Sequence, residues 1–376
     1  MKAQGFIASR LRFKGRLAVV AIAVSFFVMI ISLAISAGFR SEIRRGISSI
    51  AGDIRLSGTV EPIDARPSYI DKLENLSGVQ EISPVIWKPG IVKGPDDISG
   101  VLVKGVPMPD SCSLQARIPS RLASKLQLSV GDDFTAWFIE DKVRARRFTV
   151  SGIYESLIDS DETLTVLVPL ADMQRLCGWD ESQAGALEVT LKNPDTADAT
   201  AFEMSVLSYG NHGPEEDILS AATARARYPQ LFDWLDLIDV NVLAIIMLMI
   251  VVAGFNMISG LLILLFRNIS TIGMLKSLGM GNRAIAGVFL RVAARIVAVG
   301  MLIGNAAALL FCLVQGTTHL IKLNPANYFV SFVPVAVNVP LVLLIDAAAF
   351  LLIMLLLLIP TLFISKVDPA KTVRVK

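Results

Sequence analysis

The 376-residue sequence is poor in side chains that do acid–base, nucleophilic or metal chemistry. It holds two histidines, His212 and His319, and three cysteines, Cys112, Cys177 and Cys312. Two imidazoles cannot furnish a histidine-rich metal centre, and no Ser-His-Asp relay can be assembled around them. Asp159, Asp161 and Glu162 resemble a cation loop weakly and read more simply as a solvated turn. No G-x-x-x-x-G-K-[ST] phosphate loop occurs, so the chain does not hold ATP in that manner, and any energy it uses comes from elsewhere. Cys112 and Cys177 stand 65 residues apart without a disulfide pattern and read as free thiols, although an oxidising compartment would let them pair. The net charge of +2, with no interleaving of basic and aromatic residues, points to no nucleic-acid partner.

The elements that carry these residues explain the poverty. Hydrophobic residues make up 53% of the chain, charged ones only 18%, and the mean hydropathy is +0.61. Residues 17–39, 240–266 and 296–318 contain no charge, and residues 339–365 contain only Asp346. These 100 residues hold one of the 68 charges, and the other 276 are about 24% charged, an ordinary value for a soluble domain. Each window exceeds the roughly 20 residues that cross a bilayer as a helix. The pattern predicts four transmembrane helices and excludes a soluble enzyme, a disordered chain and a collagen-like chain. Residues 323–338 are also uncharged, but Pro325, Pro334, Asn324, Asn327, Ser331 and Asn338 make them a loop. The first window is too long for the h-region of a signal peptide and reads as an uncleaved anchor. Asp346, about 10 Å inside the fourth span, is either a functional charge facing the bundle or an aspartate hydrogen-bonded near the interface.

Lys2, Arg10, Arg12, Lys14 and Arg16 precede the first span; Arg267, Lys276 and Arg283 lie between the second and third, with Arg291 and Arg295 opening the third and snorkelling to the interface. The tail carries Lys366, Lys371, Arg374 and Lys376 against Asp368. The positive-inside bias then puts both termini (1–16 and 366–376) and the segment 267–295 in the cytoplasm, and residues 40–239 and 319–338 outside it. Ile43, Ile47 and Ile50 continue the first span as an amphipathic stalk as far as Gly52. Leu231, Leu235 and Ile238 form one face of a second stalk over residues 225–239. Between the stalks, strands expected at 53–56, 79–92, 101–106, 134–139, 147–153, 163–168 and 187–191 alternate with helices at 67–76, 119–126, 170–176 and 197–209. This is an α+β domain inserted between spans one and two.

After the second span, Ile269, Ile272, Leu275 and Leu278 recur at steps of three, and Gly279, Gly281 and Asn282 end the pattern. Such a helix lies on lipid or seats in a partner's groove, and its modest charge favours a partner. Here the segment MLKSLGM resembles the coupling element of FtsX-like, MacB-type ABC transporter permeases. FIASRLRFK at the amino terminus, SAGFRSEIRRGISSIAGDIRLS, RLASKLQLSVGDDF, VPLADMQRLCG, LEVTLKNPDTADA, YFVSFVP and ISKVDPAKTV are similar to the LolC/LolE branch, in order and along most of the chain.

The resemblance implies an outward (periplasmic) domain of two subdomains, porter and sabre, and a cytoplasmic coupling helix made here by Ile272, Met274, Leu275, Lys276, Ser277, Leu278, Gly279 and Met280. It implies two cytosolic ATPase subunits that bind ATP and magnesium, none being bound by this chain, and a second permease chain, identical or paralogous. Stalks on Ile43, Ile47, Ile50, Leu231, Leu235 and Ile238 would pass motion outward, making this a non-catalytic inner-membrane subunit. Lipoprotein release, with a periplasmic lipoprotein carrier, is the nearest implied function; efflux of small molecules or peptides and activation of a cell-wall hydrolase are the alternatives. MacB has its own ATPase domain ahead of its first span, where this sequence has 16 residues, and FtsX proteins have a smaller outward domain.

Overall fold

The computed structural model describes residues 16–94, 97–139, 143–155, 164–214, 216–324, 328 and 330–366. Residues 1–15 of the expected cytoplasmic amino terminus, the acidic turn at Asp159, Asp161 and Glu162, Pro325, Asn327 and the tail around Asp368 lie outside the described residues. In chain order the elements are α1 (Arg16–Ala51), β1 (Ile54–Ser57), β2 (Ile63–Asp64), α2 (Ile70–Glu74), β3 (Val79–Lys93), β4 (Ile98–Val106), β5 (Gln115–Pro119), α3 (Ser120–Leu126), β6 (Asp133–Ile139), β7 (Val143–Tyr154), β8 (Leu164–Pro169), α4 (Leu170–Cys177), β9 (Gln183–Ala184), β10 (Ala186–Leu191), α5 (Ala197–Asn211), β11 (Ser220–Thr223), α6 (Ala224–Arg227), α7 (Pro229–Arg267), α8 (Ile269–Ser277), α9 (Asn282–Thr318), α10 (Val339–Leu356) and α11 (Leu358–Thr361). Two compact units result. One comprises the described residues up to Ser41, Asp233–Leu323 and those from Phe332 onward; the other comprises Glu42–Phe232 and Asn324–Ser331.

The first unit is a helix bundle with four helices long and apolar enough to cross a membrane. Ile22, Phe26 and Met29 of α1 share one core with Met257 and Leu261 of α7, Phe289, Ala293 and Val297 of α9, and Ile353 of α10. Lipid tails are as apolar as leucine, so close packing has to hold such helices together. Gly300 and Gly304 provide it: a carbon added at Gly300 would sit 2.7 Å from Ile22 and 3.1 Å from the Val19 carbonyl, and one at Gly304 would strike the Ala23 carbonyl. Between α9 and α10 the described residues 319–324 and 330–338 lie in loop, with one bridge between Lys322 and Phe332. Gln315, 2% exposed, pins this loop: its amide nitrogen donates to the carbonyls of Ile321 (3.3 Å) and Val333 (3.1 Å), and its oxygen accepts from Ile321 N at 3.0 Å. The span expected over 339–365 is one regular helix only to Leu356. Pro360 has no amide to give the carbonyl four residues back, and the chain goes on as α11 and a 3-10 turn, Leu362–Lys366.

In the second unit β3 serves two sheets. Its first half pairs with β10 in the antiparallel order β11-β1-β10-β3, and its second half pairs with β4. The sheet then runs β3-β4-β8-β5-β7-β6, and β6 returns to β3 through Ile91–Trp137, Val92–Ala136 and Lys93–Thr135, closing a six-stranded barrel. Closure leaves these strands without a free edge. Alternate residues fill the inside, among them Val92, Val103, Ile118, Phe134, Phe148 and Val166. A second core of Ile54, Leu56, Tyr69, Leu73, Leu187 and Met204 lies between the open sheet and helices α2 and α5.

The strands β2, β5, β9 and β11 are too short or too polar to have shown a period. The helix expected over 67–76 shrinks to α2, because Ser68 is held in a turn, its amide and hydroxyl both donating to Glu216 at 2.8 Å. The second stalk, expected to run unbroken over 225–239, is split at Tyr228. Pro229 disfavours a helical residue before it and is well placed to start a helix, so α6 stops and α7 begins.

Gly300→Val is expected to destabilise the detergent-solubilised protein by about 1–3 kcal/mol through overpacking against α1. Gly316→Ala, whose added carbon meets only Val335 at 3.6 Å, should stay within about 0.5 kcal/mol. Thermal unfolding of both variants checks the pair.

Candidate functional site

The segment after the second apolar helix folds as the short helix α8, starting at Ile269 and ending where Gly279 takes a left-handed φ of +84°. Its faces differ from the expectation in one respect. Ile272 is buried (1% exposed), and Ile269, Leu275 and Met280 pack partly against the bundle core. Leu278 does not complete that stripe: it caps the helix and is 77% exposed, and Met274 is 53% exposed. The helix stops one residue short of Leu278, and the reversal at Gly279 swings that side chain outward. The surface presented by α8 is therefore Met274 and Leu278, with Ser277 and Gly279 exposed beside them, while Lys276 is half-buried.

The stalk residues Ile43, Ile47 and Ile50 are all buried, as their spacing requires. On α7, Leu235 is buried together with Phe232, while Leu231 and Ile238 are half-buried. Within the bundle unit, α1 and α7 are joined by polar contacts: Ser36 donates to Asp239 at 2.5 Å, Arg40 pairs with Asp239 and, at 3.5 Å, with Asp236, and Phe39 meets Trp234 edge to face.

The end of α1 is where sequence reading missed most. A helix leaves its last four carbonyls without partners. Here Lys104 of β4, 6% exposed, donates to the Ile50 carbonyl at 2.5 Å and to Glu188 at 2.6 Å. Arg227, the last residue of α6, donates from one nitrogen to the carbonyls of Ala51 (2.7 Å) and Gly52 (2.8 Å). Glu188 of β10, also buried, accepts in addition from Arg55 at 3.0 Å and from the Trp87 indole at 2.8 Å. Two cations thus cap the negative end of the helix dipole, and one carboxylate holds one of them in place. Burial pushes the Lys104 ammonium below the usual lysine range, Glu188 opposing that shift, and burial likewise brings Arg227 down to about 10. Asp53 completes the knot, its carboxylate accepting from Leu191 N at 2.7 Å and its carbonyl from Ala224 N at 2.7 Å. A lysine among the valines of VLVKGV, in the register opposite to Val101 and Val103, is the trace this site leaves in the sequence.

Asp346 is 5% exposed and faces the bundle, accepting from the Asn305 amide of α9 at 2.5 Å. The other oxygen of Asp346 and the Asn305 carbonyl are buried and accept from no described residue. The pair joins α9 to α10. Among the described residues Cys112, Cys177 and Cys312 form no disulfide.

Three measurements probe these groups. Glu188→Gln leaves Lys104 buried without a counter-charge and is expected to cost about 3–5 kcal/mol, more than Lys104→Met, in chemical denaturation. A lysine whose folded pKa lies below its unfolded value releases its proton first in the folded state, so native stability rises with pH between the lowered value and 10.5. Lys104→Met should abolish its share of that alkaline rise. Asp346→Leu strands the Asn305 amide and should cost about 1–3 kcal/mol, and adding Asn305→Leu should recover most of it in the same melting assay.

The chain matches two family models. Residues 17–207, half of the sequence, match the MacB-like periplasmic core domain, and residues 243–369 match the FtsX-like permease C-terminal region. The lipoprotein-releasing system transmembrane protein LolC of Xylella fastidiosa is 24% identical, over 98% of this chain and 95% of its own length. LolC of Neisseria meningitidis serogroup B is 22% identical over 99% and 96%, and LolE of Haemophilus influenzae is 23% identical over 94% and 92%. With four membrane-type helices, a matching α/β domain and a matching carboxy-terminal region in one chain, this protein belongs to the FtsX-like ABC transporter permeases that carry a MacB-like periplasmic core domain.

Proposed function

We propose that the chain is the non-catalytic permease subunit of an inner-membrane ABC transporter that releases lipoproteins from the membrane. The observation that carries this reading is the end-to-end likeness to LolC and LolE relatives, spanning both family regions in one order. On this reading cytosolic ATPase subunits bind ATP and magnesium and seat against the Met274 and Leu278 surface of α8, with both termini in the cytoplasm. A second permease chain completes the complex, and a periplasmic carrier receives the cargo. The domain of residues 42–232, porter and sabre in the family's terms, moves when α1 and α7 are displaced. The capped end of α1 supports that role, because Lys104 and Arg227 tie its last carbonyls to the barrel and to the segment leading into α7.

Leu278→Asp and Met274→Glu change exposed side chains and are expected to leave the chain folded while ATPase copurification and ATP-driven lipoprotein release fall at least tenfold. Leu275→Asp is the wrong test, since Leu275 packs partly on the bundle core. Normal lipoprotein sorting in a deletion strain, with drug sensitivity or defective cell separation, would replace release with efflux or hydrolase activation.

A further inference from the structure

Exposed leucines and valines on a membrane helix say nothing about partners, because acyl chains cover them at no cost. A polar side chain there is different: hydrocarbon offers it neither donor nor acceptor. Most polar side chains of the apolar helices are already engaged within the bundle, with Ser25 on the Ala21 carbonyl, Ser36 on Asp239, Asn305 on Asp346, and Gln315 on its loop. Asn256 of α7 is not. It is exposed and has no hydrogen-bond partner among the described residues. It lies three residues past the centre of the uncharged run 240–266, about 5 Å from the middle of the span. Ile245, Val252, Asn256, Ser259 and Ile263 follow one exposed line along the helix at successive spacings of seven, four, three and four. Met257 and Leu261 turn the opposite way, into the core.

We propose that this face of α7 packs against the same face of a second copy of the chain, with Asn256 hydrogen-bonded to Asn256 across a two-fold axis along the membrane normal. Two features select a second copy. A carboxamide donates and accepts, so it complements itself. Two identical chains inserted the same way round carry Asn256 at one depth, so a residue on the axis of a two-fold pair meets its own copy and no adjustment of register is needed. Ser259, small and one turn away, lets the backbones come close beside the amide pair. The proposal rests on the paired-permease reading and deepens it by naming the face.

The test uses the full-length chain in native membranes, with Cys112, Cys177 and Cys312 replaced by serine or alanine. Asn256→Cys should form a disulfide-linked homodimer on mild oxidation, and Leu310→Cys, exposed on α9, should not. In detergent, Asn256→Leu should raise the dimer dissociation constant about 3- to 30-fold, and Asn256→Gln should restore most of the loss. Equal crosslinking at positions 256 and 310, a disulfide only to a different protein, or an unchanged dimer in Asn256→Leu would each overturn the proposal. These readouts need neither ATPase nor cargo. A chain that copurifies with an ATPase yet gives no linked homodimer would leave the permease reading standing and remove this one.

Discussion

The carbonyls at the end of α1 impose the constraint on which the α/β domain is built. Each α-helix ends with carbonyls that must find donors, and where water is shut out the protein has to supply them. Burying a lysine and an arginine for this purpose costs desolvation that a neutral cap would avoid. The cost is met by arrangement: Glu188 faces Lys104, Arg55 lies 4.6 Å from the Trp87 ring centre, and the Trp87 indole donates to the same Glu188 oxygen as Arg55. A lysine on β4, a glutamate on β10 and an arginine on α6 are thereby fixed in one small volume. Four strands (β1, β3, β4 and β10) and two helices (α1 and α6) meet there.

The bundle follows a different rule. Its interior has almost no polar chemistry, and its specificity comes from shape: two glycines on α9 against Ile22 and Ala23, and one amide–carboxylate pair between α9 and α10. Charged contacts gather where α1 and α7 leave the apolar windows, at Arg40, Asp236 and Asp239. The uneven distribution of charge in the sequence is therefore a division of labour between two kinds of adhesion, shape within the apolar helices and ion pairs beyond them.

Much of this was legible beforehand, for identifiable reasons. The windows 240–266 and 296–318 could be read because twenty apolar residues have few other uses, and Ile43, Ile47 and Ile50 because a 3.6-residue period repeats through them. Asp346 could be singled out by position, although its partner Asn305, forty-one residues earlier, could not. The Lys104 knot left almost no trace, since its members lie at 50–55, 87, 104, 188 and 227 and meet only through the sheet order. Leu278 was misplaced because periodicity carries no information about where a helix stops; Gly279 held that information. Tyr228 was missed as a break although Pro229 announced it.

The strand order also dictates a schedule of synthesis. The barrel strands lie within residues 79–169, so the barrel has its whole sequence available early. The open sheet does not, because β1 sits between β10 and β11, and residues 54–57 wait for residues 220–223 before both edges are occupied. At about 5–20 residues per second that wait lasts roughly ten to thirty seconds. Arg227 emerges at the end of it, two residues before α7 begins. Until then the carbonyls of Ala51 and Gly52 lack their native donor, so the first helix is completed by the residues that lead into the second. A ribosome paused shortly before residue 220 would hold a finished barrel beside an unfinished sheet, and that intermediate is the one most exposed to proteases and to strand exchange between chains.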